Sequence, residues 1–186
     1  AATPLVYQLK DKKIGFIAVC ENEWSTTADA SPGANGLDLI NNFYSIKELK
    51  SVCDAVVVIV HGGSERYNLP SPRTKRTMRF FVDAGADAVL MHHAHCISGM
   101  EVYNDRPIFF GLGNFFFNSR RQPKYWYQGI IINLSIAENG ACSWEVNFSD
   151  VTGDGSQVGL AAPESEREAR AHFEQLSAVI SDDLRL

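Results

Sequence analysis

Four of the five histidines in this 186-residue chain fall between positions 61 and 95: His61 alone, then His92, His93 and His95 in one short run. Neutral imidazole is a common ligand of borderline divalent cations, so such a cluster is chemistry for Zn, Mn or Fe. In an extended segment alternate side chains face the same way, which directs His93 and His95 to one centre and turns His92 to the opposite side. His61, His93 and His95 are therefore the candidate metal ligands. A lone histidine would more often be a hydrogen-bonded loop or core residue; the clustering is what favours ligation.

Glu65 lies four residues after His61 in a glycine-containing loop. Its carboxylate can orient an imidazole or serve as an acid or base, so it is the candidate catalytic residue. Glu21 and Glu23 follow another apolar run and offer further carboxylates, with solvated loop charges as the plainer alternative. Arg66 and Tyr67 are candidate substrate-binding residues. Behind them Arg73, Lys75, Arg76 and Arg79 load the start of a helix with cations, where the macrodipole favours anions. That conflict permits a phosphate or carboxylate ligand; the alternative is a basic stripe paired with acids elsewhere. Asn114, in Gly111-Leu112-Gly113-Asn114-Phe115, offers an amide to a ligand or a neighbouring turn. Tyr125-Trp126-Tyr127 is read as packing aromatics with no assigned role.

The elements that must position these residues form an α/β pattern. Leu5 to Leu9 and Ile14 to Cys20 flank a polar turn at Asp11-Lys12-Lys13 and predict a hairpin leading into a buried strand. The Ser, Thr, Ala, Gly and Pro-rich stretch from Ser25 to Gly36 predicts a surface loop, and Ser45 a cap for a short helix over Ile46 to Val52. Ala55 to Val60 is a continuous β-branched run, the mark of a strand covered on both faces. Ser71, Pro72 and Gly85 bracket a helix, and Ala88 to Met91 supplies the next strand. This strand, helix, strand order is a βαβ unit, so His61 and the His92 to His95 run leave parallel strands at one sheet edge. Met100 to Tyr103 with Ile108 to Phe110, and Gly129 to Ile136 with Ser143 to Val151, predict two hairpins. Pro163 to Ile180 predicts an amphipathic helix beyond a composition shift at Gly153, which sets residues 153–186 apart as a peripheral linker and helix.

Composition sets the outer limits. The chain is 45% hydrophobic and 21% charged, as in an ordinary globular domain with a real core. A net charge of −5 argues against a nucleic-acid partner. No apolar run approaches the roughly 20 residues of a membrane-spanning helix. Cys20, Cys53, Cys96 and Cys142 show no paired spacing and read as reduced core thiols, which is compatible with a cytoplasmic location.

Taken in order, the blocks His61-Gly62-Gly63-Ser64-Glu65, Asp83-Ala84-Gly85-Ala86-Asp87-Ala88-Val89, His92-His93-Ala94-His95, Glu101, Pro107-Ile108-Phe109 and Leu112-Gly113-Asn114-Phe115 resemble the CapA family. That family is named for poly-γ-glutamate capsule biosynthesis and belongs among the calcineurin-like metallophosphoesterase folds. The first block is similar to a family His-Trp-Gly-x-Glu pattern, with Gly62 in place of the tryptophan. Met91 stands where a glycine is common, and Ala94 replaces a proline. The resemblance implies a layered α/β fold with mixed β-sheets over residues 1–152 and a divalent ion (Mn, Zn, Fe or Mg) on His61, His93 and His95. It further implies a metal-dependent, phosphoesterase-like hydrolase acting on an anionic polymer or phosphoester, in the cell envelope or outside the cell. A noncatalytic polymer-binding or export component that keeps the fold is the alternative. The superfamily's early Gly-Asp and Asn-His blocks have no counterpart here, so the chain is expected to be the C-terminal part of the full domain, with a missing N-terminal segment as its partner.

Overall fold

The structure is a computed structural model and describes residues 2–21, 26, 32–117, 122–137, 141–151 and 155–182. A six-stranded sheet in the order β1-β2-β3-β4-β6-β5 forms one layer, from β1 (Leu5–Leu9), β2 (Lys12–Cys20), β3 (Ala55–Gly62), β4 (Ala88–His93), β5 (Met100–Tyr103) and β6 (Arg106–Phe109). Strands β2, β3, β4 and β6 run parallel, whereas β1 and β5 pair antiparallel with β2 and β6. The α/β class with mixed β-sheets expected from sequence is the architecture observed. A second antiparallel sheet holds β7 (Gln128–Ile136), β8 (Cys142–Val151) and β9 (Val158–Leu160).

The near-continuous Val and Ile content of β3 follows from burial on both faces. Val56, Val58 and Val60 pack with Ile17, Val19, Val89 and Met91 beneath α1 (Leu39–Val52) and α2 (Pro72–Ala84). On the opposite face, Ala55 and Val57 pack with Ile14, Leu90, Leu134 and Ile136, the last two from β7. Helix α3 (Pro163–Ser181), expected to be peripheral, buries Phe173 against Phe109 and Phe148, with ring centroids 6.5 and 6.2 Å apart, and sends Ile180 into the main core.

Two local expectations are corrected. The first turn is tighter than expected, because Lys10 takes φ 54° and Lys12 and Lys13 already pair in β2. Helix α1 begins at Leu39 rather than Ile46, capped by Asp38, whose carboxylate accepts from Ile40 N and Asn41 N at 2.9 and 3.1 Å. Ile40 and Tyr44 are exposed there, so the first two turns show no apolar stripe to betray a helix. Helix α2 starts and ends where expected, at Ser71 and Gly85.

Two buried carboxylates lock this scaffold. Asp87 accepts from Val56 N at 2.8 Å and Lys50 Nζ at 2.6 Å and pairs with Arg106 at 3.2 Å. Glu101 takes a bidentate grip from Arg79, at 3.0 and 2.7 Å, and lies 3.6 Å from Lys75, whose Nζ also donates to Ile180 O. Lys75 and Arg79 therefore tie α2 to β5 and α3, which is the alternative in which these cations pair with an acid elsewhere in the chain: both are engaged by Glu101. Arg76 donates to Pro72 O at 3.3 Å, and Arg73 lines a surface cleft. Replacing Glu101 with Ala strands two cations in or near the core and is expected to cost about 3 kcal/mol or more of unfolding free energy. A urea midpoint within experimental error of wild type would contradict this account.

Candidate metal centre

Strands β3 and β4 lie side by side, with His61 opposite His92 and Gly62 opposite His93. Their carboxyl ends open at one edge, where an α/β sheet presents its ligands. Two loops continue from that edge and are tied together by Arg66 N donating to Ala94 O at 2.7 Å. His93, His95 and Arg66 have φ values of 118°, 56° and 62°. Non-glycine residues in this left-handed region are strained, and such strain concentrates where surrounding structure holds a functional geometry. It also means that simple strand alternation does not carry on to His95; the backbone turns to bring it round.

The outcome is a compact donor set. One ligand atom each from Glu65, His93 and His95 lies within 4.8 Å of the other two. Among the described residues this is the His, Cys, Asp and Glu grouping with the spacing of a metal site. Two imidazole nitrogens and one carboxylate oxygen suit Zn, Mn or Fe. His61 stands immediately beside this set, its ring 4.6 Å from that of His93, with its Nδ1 3.1 Å from Nδ1 of His92. The structure thus brings His93 and His95 together with Glu65, and places His61 between His93 and His92.

His95 is held from behind. Asn114 donates through Nδ2 to Trp126 O at 2.9 Å, which turns its Oδ1 toward Nδ1 of His95 at 2.8 Å. An acceptor there requires the proton on Nδ1, leaving the lone pair of Nε2 for an ion. The His95 ring also lies against Trp126, with centroids 4.8 Å apart, and edge-on to Phe117 at 5.2 Å. Asn114 is buried and both ends of its amide are committed within the protein, so it positions His95. Trp126, given no role from sequence, forms the wall of the site; only the fold brings it there, since 31 positions separate it from His95 and no spacing signal links them.

The remaining candidates are dispersed around this set. Glu21 accepts from Gly63 N at 2.9 Å and shapes the loop that carries Glu65. Tyr67 is exposed and lines a cleft of about 560 Å³ with Glu21 and Arg73. Arg66 is exposed and its guanidinium lies over the Trp126 ring at 5.5 Å. Glu23 lies outside the described residues.

Burial holds the His92 imidazole below its usual pKa, with the neighbouring His61, His93 and His95 acting in the same direction. A base with a depressed folded pKa binds fewer protons folded than unfolded, so its contribution to stability is full above the unfolded value, about 6.5, and is lost as pH falls toward the folded value. In EDTA-treated protein the urea midpoint is expected to drop between pH 7.5 and 5.5, and the drop should shrink in His92→Asn. An equal pH response in the variant would contradict this assignment.

Comparison with known proteins places this geometry in context. A segment 36% identical over 109 residues occurs in "PGA biosynthesis protein CapA" of Bacillus subtilis (strain 168), covering 57% of this chain and 27% of that protein. "Capsule biosynthesis protein CapA" of Bacillus anthracis is 45% identical over 69 residues, 37% of this chain and 17% of that one. The chain therefore spans well under half the length of these relatives. A solved structure described as a novel phosphatase from Mycoplasma pneumoniae is similar with TM-score 0.49 and 14% identity, over 88% of this chain and 59% of that one. Residues 1–119, more than half of the chain, match the family described as "Bacterial capsule synthesis protein PGA_cap", and the chain belongs to that family.

Proposed function

We propose that this chain carries part of the active site of a metal-dependent hydrolase, acting at a phosphoester or amide-like linkage of an anionic polymer in capsule or cell-envelope biosynthesis. The observation that carries this reading is the convergence of Glu65, His93 and His95, with the His95 tautomer set by Asn114. The names of the two Bacillus relatives supply the biological setting.

A divalent ion held by His93, His95 and Glu65 would supply Lewis acidity at the bond to be cleaved and acidify a water beside it. The chain's own residues do the positioning. Asn114 and Trp126 hold the His95 ring, and His61 and His92 set their Nδ1 atoms 3.1 Å apart next to His93. Glu65 is exposed at the open side, where its carboxylate can bind the ion or accept a proton. Arg66 brings positive charge for an anionic substrate.

Within this reading, residues of the full-length protein outside this chain complete the centre. One carboxylate is few for a two-ion site, and the sheet face that carries His61 continues through Ile59, Ala18 and Phe16 to Leu5 and Tyr7, where Ala18, Leu5 and Tyr7 are exposed. The same sparseness favours, as the second reading, a noncatalytic polymer-binding component that retains the ion.

Elemental analysis after loading with Mn or Zn and dialysis is expected to find about one ion per chain. His93→Ala should abolish loading, and Asn114→Ala should weaken it about 10–100-fold, the usual cost of losing an outer-shell partner. Metal-dependent turnover of bis(p-nitrophenyl) phosphate would support the hydrolase. Stoichiometric metal with no turnover on phosphoester or amide substrates favours the noncatalytic component, and equal loading of wild type and His93→Ala overturns both.

A further inference from the structure

The cleft of about 560 Å³ opens between the loop that follows β3, the end of β4 and the first turn of α2. Among the described residues none of Glu65, His93 and His95 lines it, so the metal centre does not account for it. Its inner surface is apolar, with Met91, Ala94 and Phe110 buried there. Glu21, Ser64, Tyr67 and Arg73 bring polar groups to its mouth. Apolar walls with a few placed polar groups are the make-up of a small-molecule site.

The fold leaves these polar groups with capacity to spare. Tyr67 is 65% exposed, while its backbone is fixed by donation from its N to Ser64 O at 3.2 Å and from the preceding Arg66 N to Ala94 O at 2.7 Å. Its phenol has no hydrogen-bond partner among the described residues. Glu21 uses one carboxylate oxygen to accept from Gly63 N at 2.9 Å, and no other described residue donates to it. Arg79, Arg106 and Arg170 each pair with a carboxylate, Glu101, Asp87 and Glu166. Among the described residues no carboxylate pairs with Arg73. A rigid backbone thus presents an aromatic face, a carboxylate oxygen and a guanidinium to one cleft.

One acid and one base leave the cleft without net charge, so it offers little attraction to a polyanion, and Glu21 repels one. A hydroxyl both donates and accepts, so two neighbouring hydroxyls of one ligand can donate to the Glu21 carboxylate and accept from the Arg73 guanidinium, in the stronger, charge-assisted kind of hydrogen bond. The C–H face of a sugar ring is flat and apolar and covers an aromatic ring well. We infer that this cleft is a carbohydrate site, which seats one pyranose ring with its C–H face on Tyr67 and neighbouring hydroxyls on Glu21 and Arg73. This goes beyond the hydrolase reading and stands without it, since binding needs no ion.

The chain has three methionines, of which Met91 lines the cleft and Met78 and Met100 do not, so methyl resonances of the isotope-labelled whole chain in EDTA report on the site with two internal controls. Glucose and N-acetylglucosamine are titrated, and separately glutamate and inorganic phosphate. A sugar is expected to shift the Met91 methyl saturably while Met78 and Met100 stay in place, with glutamate and phosphate weaker by about tenfold or more. Tyr67→Ala, at an exposed side chain, should weaken the sugar about tenfold with an unchanged thermal midpoint. Glu21→Gln, which keeps an acceptor for Gly63 N, should weaken it about fivefold through loss of the charge alone. No saturable Met91 shift with either sugar, equal affinity for glutamate or phosphate, or undiminished binding in Tyr67→Ala would overturn the carbohydrate site. Because metal is excluded, failure of the hydrolase reading leaves these outcomes untouched.

Discussion

The parallel pairing of β3 with β4 is the constraint on which the site depends. Its register sets His61 beside His92 and Gly62 beside His93. A slip of one residue would exchange the two faces of a strand, moving Val58 and Val60 out of the helix-covered core along with the imidazoles. Core packing therefore enforces the histidine geometry: misplacing the site would also take Val58 and Val60 out of their packing beneath α1 and α2. The strained turns at His93 and His95 are affordable because they follow directly from this buried, cooperative frame.

The charged residues divide into two populations with different work. Asp87 and Glu101 are buried, each satisfied by two cations, and they join elements distant in sequence: Asp87 binds α1 and β6 to the main-chain N–H of β3, and Glu101 binds α2 to β5. Glu65 and Arg66, by contrast, remain exposed on a loop whose backbone is pinned. Fixed backbone with uncommitted side-chain charge is the condition for recognising something external, and it occurs next to the donor set rather than elsewhere on the loop.

Much of this was legible in the residues. The β-branched run at Ala55 to Val60 and the Ser71, Pro72 and Gly85 brackets announced the βαβ unit, and the unit in turn announced a common edge for the histidines. What escaped was tertiary. Glu65 joins His93 and His95 through a loop that Arg66 N ties to Ala94 O, and no local period encodes that. Lys75 and Arg79 looked like surface charge because their partner, Glu101, lies more than twenty positions away. Asp38 was passed over as a cap because the apolar residues after it face water, so the helix it starts carries no stripe at that end.

Gly62 shows how a neighbouring strand can dictate a residue. A Cβ built there would meet Glu21 Cγ at 2.7 Å and Cδ at 2.8 Å, while Glu21 itself is engaged by Gly63 N at 2.9 Å. The space that a larger side chain would take at position 62 is filled from β2's end. A larger residue at position 62 would push the Glu21 carboxylate away from Gly63 N, and the loop that carries Glu65 would lose that brace.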